Sequence, residues 1–77
     1  MKELIEYIAT QLVEDQAQVA VTETEANGRV HLELKVSKDD MGRVIGKSGR
    51  VANAIRILLR VAAARDGKRA TLDILEP

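Results

Sequence analysis

The stretch Val44-Ile45-Gly46-Lys47-Ser48-Gly49-Arg50 decides how this 77-residue chain is read. Two glycines stand three residues apart, with an apolar pair before them and a long helical pattern after them. A tight connection between helices favours glycine, which accepts positive φ and has no Cβ to keep another backbone away. The helix that follows begins with unpaired N–H donors and the positive end of its dipole. With Lys47 and Ser48 on the turn and Arg50 beside it, the stretch has the composition of a phosphate site.

Working downstream, residues 49–65 read as the strongest helix. Val51, Ile55, Leu58, Leu59 and Ala62 form one apolar stripe, with Asn53, Arg56 and Arg60 on the opposite side. Gly67 is placed to close the helix in a left-handed conformation. Ala70, Leu72 and Ile74 then alternate as a last strand before Glu76-Pro77. Ala54, Ile57 and Val61 form a second, offset apolar strip on the long helix. Either the first helix covers it, through Leu4, Ile8 and Leu12, or it is the interface of a homodimer. The dimer is the preferred expectation, because a small aliphatic strip suits a self-complementary patch and pairing two weak sites raises effective concentration.

Upstream, residues 3–14 carry Leu4, Ile5, Ile8, Leu12 and Val13 at helical spacing. Residues 19–24 and 30–36 alternate as strands, and Asn27-Gly28 between them is a strong hairpin signal. His31 falls on the polar side of the second strand and reads as a surface residue without a role, and Tyr7 as a packing residue on the first helix. Ser37 and Asp40 resemble a capping box opening a short helix over residues 38–45, which runs into the glycine turn. The order helix, strand, strand, helix, helix, strand predicts a two-layer α+β domain with a three-stranded sheet.

Composition narrows the function. There is no cysteine, and a lone His31 cannot build a metal centre, so no metal or other cofactor is expected. No apolar run approaches the roughly 20 residues of a membrane span. Acidic residues within the first six positions speak against a signal peptide, so a cytoplasmic protein is expected. Neither paired carboxylates nor a nucleophile constellation suggests an enzyme or a small-molecule substrate. Formal charge is zero, but it is divided: residues 1–40 hold four Lys/Arg against nine Asp/Glu, and residues 41–77 hold eight against three. The basic excess gathers around and after the glycine turn, as expected of a nucleic-acid face.

Two phosphate-binding patterns compete for the turn. Gly42-Arg43-Val44-Ile45-Gly46-Lys47-Ser48 is one residue short of a nucleotide P-loop, and it follows a charged segment, not a buried strand. The other pattern is a helix–GxxG–helix clamp. Val44-Ile45-Gly46-Lys47-Ser48-Gly49, followed by a helix carrying Ile55, resembles the signature of the KH domain. The resemblance covers essentially the whole chain, and the element order is that of the type II KH arrangement. Length and order are similar to those of the small single-KH bacterial proteins of the KhpA type. Ala52 departs from the pattern, where many KH domains carry a larger aliphatic residue.

The resemblance implies a non-catalytic domain over residues 1–77 that clamps about four nucleotides of single-stranded RNA, with a chaperone or regulatory role. It implies contacts from Arg43, Val44, Ile45, Gly46, Lys47, Ser48, Gly49, Arg50 and Asn53. By analogy with KH domains, the 30–36 strand should border the groove that receives the bases. It also implies self-association and a second KH-containing partner. The chain has no Phe or Trp, which excludes the stacking platform of an RRM and points to modest affinity. A protein-interaction module and a single-stranded DNA binder remain the alternatives.

Overall fold

The computed structural model describes residues 1–76, and Pro77 lies outside them. Its elements are α1 (Lys2–Leu12), β1 (Ala20–Ala26), β2 (Arg29–Lys35), α2 (Met41–Ile45), α3 (Arg50–Arg65) and β3 (Arg69–Leu75). Short 3₁₀ turns at Gln16–Gln18, Lys38–Asp40 and Lys47–Gly49 join them. The expected α-β-β-α-α-β order and three-stranded sheet are therefore present.

The sheet runs β1-β2-β3. β1 and β2 pair antiparallel around Asn27 (φ 53°) and Gly28 (φ 77°), the two positive dihedrals that a type I′ hairpin turn requires. β3 joins β2 in parallel, with Arg29 opposite Arg69 and Leu32 opposite Leu72. A parallel partner needs a long crossover, which α2 and α3 provide. Central β2 contributes Val30, Leu32 and Leu34 to the core, and β3 contributes Ala70 and Leu72. Edge strand β1 contributes Val21 alone. Ile5 and Ala9 from α1, Val44 from α2, and Ile55, Leu59 and Ala63 from α3 close the second layer over them. Each large side chain withdrawn in this way contributes about 1.5–3 kcal/mol.

Three local expectations change. First, α1 stops at Leu12, because the backbone N–H groups of Glu14 and Asp15 turn away to donate to the Asp40 carboxylate at 3.1 and 3.0 Å. Second, Asp40 is consequently not a capping-box acid. Its carboxylate is buried and also accepts from Ser37 Oγ (2.9 Å) and Arg43 Nη1 (2.9 Å), joining α1 to α2 across 26 residues of sequence. Third, α3 is rotated from the expected phase. Ala52, Ile55, Leu59 and Ala63 face the sheet, whereas Leu58 is 53% exposed. The small residues Ala52 and Ala63 allow the helix to sit close to the strands. The helix ends as predicted: Gly67 is left-handed (φ 69°), and Gly67 and Lys68 donate to Ala64 O and Ala63 O in a Schellman arrangement.

Candidate nucleic-acid interface

The turn between α2 and α3 has an unusual backbone. Gly46 adopts φ 75°, ψ 172°, a region open essentially to glycine alone. Ser48 (φ 58°, ψ 25°) and Gly49 (φ 75°, ψ 13°) are both left-handed. The two glycines serve different ends. A Cβ on Gly46 would collide with Val51 Cγ2 and lie 2.8 Å from the Val51 backbone nitrogen, so this glycine lets the turn fold onto the first residues of α3. A Cβ on Gly49 would meet nothing within 4 Å, so this glycine leaves the surface of the turn open to an approaching ligand. Of the two glycines expected to let a foreign backbone approach, Gly49 has open space before it, while Gly46 is occupied from within.

Lys47, Ser48 and Arg50 are exposed around this opening. Neither Lys47 nor Arg50 has a carboxylate within 4 Å among the described residues. No side chain caps the N-terminus of α3, and its first amide, that of Arg50, donates to Lys47 O within the turn. Two exposed cations and an exposed hydroxyl thus lie at the positive end of the α3 dipole, with no carboxylate paired to either cation among the described residues.

Two of the sequence-predicted residues sit elsewhere. Val44 is fully buried and touches no solvent, because it anchors α2 in the hydrophobic core. Arg43 flanks the turn but its guanidinium is committed to Asp40 (2.9 Å), Glu14 Oε1 (2.8 Å) and Asp39 O (3.2 Å). Ile45 and Asn53 are exposed as expected. The groove also has a different wall from the expected one. β2 is the central strand, hydrogen-bonded on both sides, and offers no edge. The edge beside α3 belongs to β3, where Arg56 Nε donates to Leu72 O at 3.1 Å, and a depression lies between Arg56, Arg60, Thr71 and Leu72. Arg56 and Arg60 therefore flank a groove, where the sequence placed them on the far side of the helix. The parallel β2–β3 pairing is what sequence spacing alone did not supply.

A family model of the KhpA/KhpB KH domain matches residues 2–74. The chain belongs to this KH-domain family. An RNA-binding protein KhpA from Clostridium perfringens is 47% identical over 75 residues, covering 97% of this chain and all of that protein. A KhpA from Halalkalibacterium halodurans is 45% identical over 76 residues, covering 99% of this chain and all of that protein. One from Aquifex aeolicus is 42% identical over 76 residues, covering 99% and 96%.

On this KH domain, the second apolar strip of α3 is open. Ile57, Leu58 and Val61 are 57%, 53% and 52% exposed, and Ala54 is exposed with them. Their i, i+3, i+4, i+7 spacing makes one stripe roughly opposite the buried face at 3.6 residues per turn. α1 packs beside α3 without covering it. Sequence reading missed Leu58 because it assigned that residue to the core; the spacing itself was the available signal. Tyr7 is likewise exposed, on α1, and not packed.

Asp40 is the other residue whose role was missed. Amide donation from Glu14 first, then from Asp15, holds its carboxyl below the ordinary carboxylate value, with Ser37 and Arg43 assisting against the opposing effect of burial. His31 has partners too: Nδ1 lies 2.7 Å from Thr71 Oγ1, and Nε2 lies 3.4 Å from Asp73 and 3.9 Å from Glu33. His31, Glu33 and Asp73 are the one group among the described residues able to offer three metal-ligand atoms, all within 4.8 Å. They lie on the outer face of the sheet, His31 and Glu33 half-buried and Asp73 exposed.

Proposed function

We propose that this protein is a non-catalytic, cytoplasmic RNA-binding protein, a single KH domain that clamps single-stranded RNA at the 46–49 turn. The observation that carries this reading is the turn itself: a Gly49 open to its surroundings, an exposed Ser48, and the unneutralised cations Lys47 and Arg50 at the start of α3. Phosphate oxygens can accept from such donors while the flanking nucleotides pass into the groove between α3 and the edge of β3. The relatives' shared name, RNA-binding protein KhpA, supports RNA as the ligand class. No stacking aromatic borders the groove, so base preference is loose, which suits an RNA chaperone or a post-transcriptional regulator.

Changing Lys47 and Ser48 both to Asp places two anions where phosphate sits. Anisotropy titration of a labelled oligouridine should show binding lost while circular dichroism remains native. Unchanged affinity in the folded variant overturns the clamp. A parallel titration with oligodeoxythymidine separates RNA from single-stranded DNA, because no loop side chain is specific for a 2′-hydroxyl.

The open strip Ala54, Ile57, Leu58 and Val61 supports a second element of the reading, that the domain works in pairs. The occupant is a second copy, with a different KH-containing protein as the alternative partner that the family name supports. An aliphatic stripe on the outermost face of the longest helix can meet its own two-fold image without a buried charge.

A further inference from the structure

A trough continues the α3/β3 groove past its far end. Arg56 bonds Leu72 and Arg60 lies beside Ala70 and Thr71, so α3 runs antiparallel to β3. The glycine turn is therefore at the C-terminal end of β3, and Lys68 and Arg69 are at the opposite end. Three depressions adjoin there. The groove proper shares Arg60 and Thr71 with a depression reaching Lys68 and Arg69. That one shares Arg69 and Thr71 with a third, on the outer face of the sheet, lined by Arg29 and His31. The surface thus passes from the helix side, around the start of β3, to the sheet's outer face, with Thr71 as the common wall.

This end of the trough is electrostatically incomplete. Arg29 and Arg69 are direct register partners, and Arg69 N donates to Gly28 O at 2.9 Å, which fixes the start of β3 against the hairpin. Neighbouring strands are about 4.8 Å apart. Like charges opposite one another destabilise a sheet. Yet neither arginine, nor Arg60, has a carboxylate within 4 Å among the described residues. The nearby Glu25 is committed to Lys68 at 2.9 Å, and Glu33 and Asp73 face His31.

We infer that Arg29 and Arg69, reached by way of Arg60, form a second phosphate-binding site that takes the RNA backbone as it leaves the groove. The footprint on the domain then exceeds the roughly four nucleotides that a KH loop clamps. This inference rests on the RNA reading above. The contact is to phosphate, not to bases, because arginine guanidinium groups match phosphate oxygens, and His31, the one aromatic ring lining the trough, is held by Thr71, Glu33 and Asp73.

The test uses a uridine tetramer and the same tetramer extended by four abasic ribose-phosphate units at either end. The abasic tail adds phosphates without adding binding registers. For the wild-type protein, one of the two extensions should raise affinity several-fold and steepen the dependence of log K on log[salt] by about 1.4, two phosphates at ~0.7 each. The Arg29→Gln/Arg69→Gln variant should bind the bare tetramer as wild type does and lose both gains. Arg29→Lys/Arg69→Lys should keep most of them. If wild type gains nothing from either tail, or the glutamine variant gains as much, the second site is overturned while the clamp stands. If wild type binds neither the tetramer nor its extensions, both readings fail together.

Discussion

The two glycines of the turn make opposite demands, and single substitutions separate them. Gly46→Ala forces a Cβ into Val51 in a backbone region that only glycine occupies readily, so it should cost about 1–3 kcal/mol in denaturant unfolding. Gly49→Ala keeps a left-handed residue at an open position and should cost about 1–2 kcal/mol. Its methyl group, however, would project from the open face of the turn, so under the proposed clamp RNA affinity should fall in a protein that remains folded. Equal stability losses with unchanged binding in both variants would show that the two glycines do not divide the work in this way. Asp40 makes a further prediction. Its folded pKa lies below its ordinary value of 3.8, so its stabilising effect is present above that value and is lost as pH falls through the folded pKa. Asp40→Asn should lower the thermal midpoint at neutral pH and flatten the acid limb below about pH 4. An unaltered acid limb would mean that Asp40 does not join α1 to α2. The Asp40 cluster could not be read from sequence, because its main donors are amide groups 26 and 25 positions away.

At the scale of elements, periodicity located α1, α3 and the three strands to within a few residues, the capping-box pattern placed the start of α2 three residues early, and Asn27-Gly28 and Gly67 specified their turns. The phase of α3 was less legible. Its apolar arc is broad, and Leu58 with Ala62 competes with Ala52 and Ala63 for the inward face. What decides the matter is clearance above the sheet, which favours small residues and is set by the strands, not by the helix. Hence Ala52→Leu should overpack the core and cost about 1–3 kcal/mol. Leu58→Ala should stay within about 0.5 kcal/mol. Val61→Asp separates an interface from a core position: sedimentation should show a folded monomer where wild type self-associates. Unfolding would place the strip inside the molecule, and a wild type that sediments as a monomer at high concentration would remove the dimer. The edge facing the groove was misread for a related reason. Alternation reveals which residues share a face but not which strand is central, and only the parallel β2–β3 pairing puts β3 outside.

For the whole molecule, zero net charge conceals a division that the fold makes spatial. Arg43 and Lys68 are neutralised by Glu14, Asp40 and Glu25, which leaves Lys47, Arg50, Arg56 and Arg60 along the turn and groove without acidic partners among the described residues. A single domain therefore neutralises few phosphates on a short strand, about two to four, and log K against log[salt] should have a slope of about −1.5 to −3 at ~0.7 per phosphate. Affinity this dependent on a few exposed cations should be weak under physiological salt, and the proposed pairing of two domains would raise it. Two linked sites meet one RNA at an effective concentration near millimolar when the spacing allows both to engage. An RNA carrying two uridine tracts should therefore bind wild type more tightly than either tract alone, beyond the statistical factor of two. With Val61→Asp the two-tract advantage should disappear while single-tract affinity and its salt slope remain unchanged. Loss of single-tract binding in that variant would mean that the strip supports the groove, and persistence of the two-tract advantage in a proven monomer would mean that pairing through α3 is not its source.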